Sequence, residues 1–231
     1  MKELLTAGLS ALNLPAEGIP SLERYAELLV EKNKVMNLTA ITEPKDVATL
    51  HFLDCAALLT LAEFKGKKVA DVGTGAGFPG MPLRILEPSM DITLLDSLNK
   101  RIDFLKEVCA DLALKNVDCV HGRAEEFAAD HRESYDIVTS RAVANLSMLS
   151  ELCLPLVKVG GLFLAMKSTE CEEELEAAKK AIKTLGGKTE KVADYVIPGT
   201  DITHRLVIIR KLSPTPAKFP RRFAQIKKQP L

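Results

Sequence analysis

The stretch "KKVADVGTGAGFPG", residues 67–80, sets four glycines within eight positions directly after a short apolar run that ends in Asp71. A β-rich run, closely spaced glycines and then helix-forming residues make a strand, a tight turn and a helix, the unit from which parallel α/β sheets are assembled. The glycines let backbone approach a ligand with no Cβ in the way. "GAGFPG" satisfies G-x-G-x-x-G. That match alone suits a dinucleotide, another nucleoside-bearing ligand, or merely a tight turn with solvated acids.

From residue 67 onward, "KKVADV", "DITLLD", "VDCVHG", "YDIVTS" and, after a "VGG" turn, "LFLAMKS" alternate with helical runs such as "NKRIDFLKEVCADLAL" and "AEEFAAD". The helix after "YDIVTS" is expected to end near Lys158. Strands separated by helices imply parallel pairing through crossovers. The last two runs, "KVADYVI" and "HRLVIIRKL", have too short a loop between them for a crossover and should pair antiparallel. Seven strands, mostly parallel, with a terminal antiparallel hairpin is the α/β, Rossmann-like arrangement of class I methyltransferases. The preceding residues look helical, with Pro15 and Pro20 separating the first two helices and Pro44 opening a third through Leu61. The expected organisation is an N-terminal helical layer at 1–64, a cofactor-binding α/β domain at 65–213, and a non-helical basic tail at 214–231 punctuated by Pro214, Pro216 and Pro220.

The 231 residues, 47% hydrophobic, suffice for one sizeable core. "MKELLTAGLSALNL" puts Leu5, Leu9 and Leu12 on one helical face, an amphipathic helix rather than a signal peptide. No apolar run approaches the roughly 20 residues of a membrane span. Five scattered cysteines form no C-x-x-C pair, so neither a disulfide framework nor a zinc site is indicated and a cytoplasmic location fits. Thirty-one basic and thirty-one acidic residues balance, yet no acid follows Asp201. That acid-free end suits a polyanionic partner.

Asp71, Gly73, Gly75 and Gly77 form D-x-G-x-G-x-G, placing a carboxylate where the ammonium of adenosylmethionine would lie and where a pyrophosphate would be repelled. Asp96, ending the next strand, can accept hydrogen bonds from ribose hydroxyls in either kind of fold. "GRAEE" puts Ala124 and Glu125 at an adenine edge, and that third acidic position favours adenosylmethionine. The fourth strand runs into "TSRAVANL", without the Asp/Asn-Pro-Pro-aromatic of amine methylation or the Pro-Cys of pyrimidine-carbon methylation. Guanine N7 has an in-plane lone pair and no proton to lose, so this site permits N7 chemistry, which needs alignment more than a base.

"NLTAI" (37–41), "HFLDC" (51–55), "DVGTGAGFPG", "LLDSLNKRIDFL" (94–105), "GRAEE", "SRA" (140–142) and "KFPRRFAQIKKQPL" together resemble the GidB family, also called RsmG, bacterial small-subunit rRNA guanine-N7 methyltransferases. The resemblance spans nearly the whole chain. Cys55 stands where the family often has Ser, and "FAQIKKQ" where it usually has Gly and Pro. The resemblance implies an S-adenosylmethionine-dependent enzyme releasing S-adenosylhomocysteine, with no metal, acting as a monomer on 16S rRNA or the small ribosomal subunit. It carries cofactor contacts onto Gly73, Phe78, Ala124, Glu125 and Arg141. It also makes His51 and Asp54, three apart on one helix face, a substrate-side pair, with Asn37 and Thr39 capping that helix or lining the same pocket. Arg141 suits a cofactor carboxylate, an RNA phosphate or a buried ion pair. Arg123 and Lys167, at strand ends, fall on the rim expected to meet RNA. Arg221, Arg222, Lys227 and Lys228, interleaved with Phe219 and Phe223, suit phosphate contacts and stacking on an unpaired base. The alternatives are a methyltransferase of small molecules or proteins, a non-catalytic RNA-binding protein on the same fold, and a dehydrogenase.

Overall fold

The computed structural model describes residues 1–141 and 144–231. Ala142 and Val143, including the last residue of "SRA", lie outside the described residues. Helix α1 (Lys2–Ala11) buries Leu5, Gly8 and Leu9 on one face. Helix α2 (Ile19–Met36) has Pro20 in its first turn, where a missing N–H costs nothing, and ends at Asn37 in the left-handed region. The expected third helix is a run of short pieces: α3 (Pro44–Asp46), a π-helical stretch (Val47–Leu53), α4 (Asp54–Ala56) and α5 (Leu58–Leu61). The widened π turn is the departure from a regular helix. A Cβ on Gly8 would sit 2.3 Å from a methyl of Leu53, so only glycine lets α1 pack this closely on it.

Alternation of strand and helix then holds through β1 (Lys68–Val72), α6 (Gly80–Leu86), β2 (Asp91–Asp96), α7 (Asn99–Asp111), β3 (Val117–His121), α8 (Ala124–Asp130), β4 (Tyr135–Arg141), α9 (Leu146–Cys153), β5 (Val157–Ser168), α10 (Glu172–Thr184), β6 (Gly187–Val196) and β7 (Thr203–Lys211). The seven strands lie in the order β3-β2-β1-β4-β5-β7-β6. Strands β1 to β5 pair parallel, and β7 pairs antiparallel with both β5 and β6. The order reverses between β1 and β4, which opens a crevice beyond their carboxyl ends. In β1 every residue after Lys68 is buried, as expected for a central strand with helices on both faces.

Three local expectations change. The "VGG" glycines are not a turn before the strand but part of β5, at a register shift opposite Tyr135 and Ile137. Gly160 takes φ +88° there, and a Cβ on Gly161 would lie 2.6 Å from the Asp136 carbonyl. The helix expected near Lys158 ends earlier, at Cys153, because Pro155 turns the next residues into a short 3-10 helix. The tail is not wholly irregular: α11 (Phe223–Lys228) forms within it, with Ile226 fully buried. Among the described residues no helix is long and apolar enough to cross a membrane.

Leu5, Leu9, Leu22, Tyr25 and Leu29 of the first two helices pack in the same apolar cluster as Val69, Ile92, Ile137 and Leu164 of the sheet. A shared core should melt as one unit. We therefore expect Leu9→Ala to lower the stability of the whole chain by about 2–5 kcal/mol in a single denaturant transition. A separate early transition confined to the N-terminal helices would contradict this.

Candidate functional site

The glycine loop is held from below. Gly73, Gly75 and Gly77 have φ of +71°, +61° and +109°, a region other residues enter only at a cost. The backbone N–H groups of Gly73 and Thr74 donate to the Leu95 carbonyl at 2.8 and 3.1 Å, tying the loop to β2. Asp71 is fully buried and accepts from the Thr74 hydroxyl at 2.7 Å, the Gly80 N–H at 2.9 Å and the Thr139 hydroxyl at 3.2 Å. Burial pushes its carboxyl up to about 6. The expectation that Asp71 meets a ligand ammonium is therefore corrected: its side chain lies beneath the loop and does not line the cleft. Gly77 is also withdrawn from the ligand side, its missing Cβ facing the Tyr25 hydroxyl and Leu105.

Above the loop is a cleft of about 540 Å³, within the usual range of small-ligand sites. Gly73, Gly75, Phe78, Asp96, Ala124, Glu125 and Arg141 all line it, as do Thr39, His51 and Arg123. A Cβ on Gly75 would meet no protein atom within 4 Å, so its absence leaves open space for a ligand. The Asp96 carboxylate accepts from Gly75 N at 2.9 Å, Leu98 N at 2.9 Å and Arg101 at 3.2 Å, which leaves one lone pair, on Oδ1, for a sugar hydroxyl. Two carboxylates, apolar Leu95, Ala124 and Leu152, and loop amides fit a ligand carrying a cation, a diol and a purine.

The opposite wall is a buried polar network. Arg141 donates to Asp54 at 3.2 Å, to the Leu50 carbonyl at 3.2 Å and to His51 Nδ1 at 3.1 Å, and its guanidinium lies 4.9 Å from the Phe78 ring centre. Arg141 thus forms the buried ion pair with Asp54 and at the same time lines the cleft. Asp54, beneath the cleft, also accepts from Tyr195 at 2.8 Å and His204 at 2.9 Å. Guanidinium only donates, so His51 Nδ1 must accept and the proton of neutral His51 sits on Nε2. Burial and the Arg141 charge lower the His51 pKa to about 4, which keeps the ring neutral near pH 7. His51 Nε2 lies 3.0 Å from Thr39 Oγ1, which also accepts from Ile41 N at 3.0 Å. With both lone pairs used, Thr39 retains its own hydroxyl hydrogen to donate. Phe78 is only 5% exposed and stacks on His51 with ring centres 4.2 Å apart, so it serves core and cleft together.

Other sequence-based candidates fall elsewhere. Asn37 is exposed and ends α2; it lies outside the cleft lining. Lys167 is not a free rim cation, since it donates to the Ala144 carbonyl at 2.8 Å and to Glu174 at 2.5 Å. Arg221 is likewise not free for phosphate: buried Glu151 takes its side chain at 2.8 and 2.6 Å. Arg222, Lys227 and Lys228 are exposed. Sequence reasoning missed Ser97 and Arg101 in the cleft lining, although both lie in "LLDSLNKRIDFL". It also missed Tyr195 and His204, whose only signal is their place beside the hairpin loop.

The two histidines respond to pH in opposite senses. His51, lowered from 6.5 to about 4, withdraws stability as pH falls through that window, because the unfolded chain takes up the proton first. His204, raised by its hydrogen bond to Asp54, contributes stability below its ordinary value that is lost as pH rises through the raised one. Unfolding free energies measured in urea across pH should show His51→Gln flattening the acid limb and His204→Gln the alkaline limb. Unchanged slopes on both limbs would contradict these assignments.

Residues 18–202 match the family model GidB, described as rRNA small subunit methyltransferase G. The chain is 52% identical to "Ribosomal RNA small subunit methyltransferase G" of Clostridium perfringens (strain SM101 / Type A), over 90% of this chain and 88% of that protein. It is 48% identical to the protein of the same name from Alkaliphilus oremlandii (strain OhILAs), over 100% of this chain and 99% of that one. Among solved structures, TrmN from Thermus thermophilus shares the fold, with a TM-score of 0.54 at 21% identity over 68% of this chain and 48% of that chain. The chain thus belongs to the GidB family of small-subunit rRNA methyltransferases.

Proposed function

We propose that the chain methylates N7 of a guanosine in 16S rRNA, using S-adenosylmethionine held in the cleft above the glycine loop and acting in the cytoplasm as a monomer. Asp96 would take a ribose hydroxyl, residues 122–125 would border the adenine, and the loop amides and Gly75 would surround the amino-acid end. Bound there, S-adenosylmethionine supplies an electrophilic methyl group. The observation that carries the choice of acceptor is the wiring of His51. One ring nitrogen accepts from Arg141 and the other faces Thr39, so this wall offers a neutral, occupied imidazole and no free base. Such a wall suits an acceptor that already has a lone pair. It would not serve an exocyclic amine or a hydroxyl, which must shed a proton.

What the chain contributes is placement. The free Thr39 hydrogen is aimed from the wall that His51 and Arg141 build, a directional donor for a carbonyl or ring nitrogen of the target base. Methyl transfer from S-adenosylmethionine held there would leave positive charge on the guanine. Arg141 does not oppose this strongly, because Asp54 neutralises it at 3.2 Å. Holding the reacting atoms in line is the main source of rate, as expected where no proton moves.

The test is to incubate the protein with methyl-labelled S-adenosylmethionine and small-subunit rRNA from cells lacking the gene, as naked RNA and as particles. Label in 7-methylguanosine at one site is the expected result, and label in any other nucleoside would refute the acceptor. Thr39→Val should slow single turnover roughly tenfold, the equivalent of about 1.4 kcal/mol for one lost hydrogen bond.

A further inference from the structure

The tail is fastened beside the cleft by contacts within the chain. Arg132, just after α8, donates to the carbonyls of Phe219 at 2.7 Å, Pro216 at 3.0 Å and Thr215. Glu151 in α9 receives the Arg221 backbone N–H at 2.9 Å as well as its guanidinium. Phe219 and Ile226 are buried in the apolar cluster that holds Leu146, Leu149 and Leu152 of α9. Together these anchors deliver Phe223, the first residue of α11, into the lining of the cleft. There the Arg123 guanidinium lies 5.5 Å from the centre of its ring. Lys227 and Lys228, one turn further along the same helix, are exposed.

The position of Phe223 follows the course of the cleft. Asp96 marks one stage, and residues 122–125 mark the next, where Ala124 and Leu152 supply an apolar surface. An aromatic ring at that end offers a flat, sequence-independent face to a purine. α11 is only six residues long and is gripped at its start through Arg221 and Glu151. Fixing Phe223 against a ligand therefore also restricts the lysines one turn away, and fixing the lysines restricts Phe223.

We propose that α11 is a wall shared by both ligands, with Phe223 against the adenine of S-adenosylmethionine and Lys227 and Lys228 against RNA phosphates, so that each ligand strengthens binding of the other. This rests on the cofactor and substrate reading above. The strengthening is reciprocal by thermodynamic necessity, and its source is that one short anchored helix carries both contacts, so that its side chains are positioned once for two ligands. The tail is then part of the cofactor site as well as of the RNA surface.

Calorimetric titration of S-adenosylhomocysteine tests this, with and without saturating small-subunit rRNA. Without RNA, Phe223→Ala should weaken binding roughly tenfold, the scale of one lost base–aromatic stack, and Phe223→Tyr should restore it to within about twofold. Methylthioadenosine, which keeps the purine and lacks the amino-acid end, should lose the same factor. RNA should tighten S-adenosylhomocysteine binding in the unmodified protein but not in Phe223→Ala or in Lys227→Ala/Lys228→Ala. Thermal melts matching the unmodified protein would show that the variants fold. If the unmodified protein binds and Phe223→Ala binds equally well, or RNA changes nothing, the shared wall is refuted and the cofactor reading stands. If the unmodified protein binds no S-adenosylhomocysteine, the cofactor reading itself fails and the shared wall with it.

Discussion

A single buried carboxylate sets the geometry on which the cleft depends. Asp71 sits at the end of a central strand with no exposure, and its three donors come from the loop, from the start of α6 and from the neighbouring strand β4. A charge in that position has no water to solvate it, and burying it unpaired would cost far more than any one contact returns. The raised pKa, about 6, reports that burial. Above it, the Thr74, Gly80 and Thr139 donors stand in for water, and they can do so only if the loop closes with the curvature that places both its ends on one carboxylate. The left-handed glycines make that curvature accessible, and Asp71 selects it.

The same device recurs twice around the site. Asp54, 1% exposed at its side chain, draws Arg141 from β4, Tyr195 from β6 and His204 from β7 onto the N-terminal helical run. Glu151, fully buried, draws the tail onto α9. Each of the three carboxylates joins segments remote in sequence; Asp71 and Asp54 are satisfied by donors from several residues, and Glu151 by the guanidinium and backbone N–H of Arg221. Removing one partner of such a buried pair typically costs about 3–5 kcal/mol, because the other is left uncompensated. The N-terminal helices, the sheet and the tail are thus coupled through charge as well as through their shared apolar clusters.

What the sequence disclosed was whatever depends on neighbouring residues. Strand and helix periods, the antiparallel hairpin forced by a short loop, and the glycine turn all follow from local rules, and all are present. Side-chain direction at the strand tips was not legible. Asp71 and Asp96 both end strands and both precede turns, yet the first faces under its loop and the second faces the cleft, because only the folded loop decides which side is inside. Arg221 read as a free cation since its partner is remote in sequence, Glu151 lying 70 residues before it; Lys167 pairs with Glu174 only seven residues on, but across a strand-to-helix turn whose course the local sequence does not fix. The π-helical stretch was hidden too. Most of its residues are buried, and "VATLHFL" contains no residue that demands a widened turn.

This division of labour bears on how the site tolerates change. A reaction that needs no proton abstraction places little demand on the acidity of any group in the cleft and a strict demand on position, where a displacement of about 1 Å can cost roughly a hundredfold in rate. Side chains that only line the cleft contribute single hydrogen bonds of about 1 kcal/mol each. The carboxylates beneath it fix where those side chains stand. The positions of the side chains around the cleft are therefore set one layer below its lining, in Asp71, Asp54 and Glu151, none of which lines the cleft.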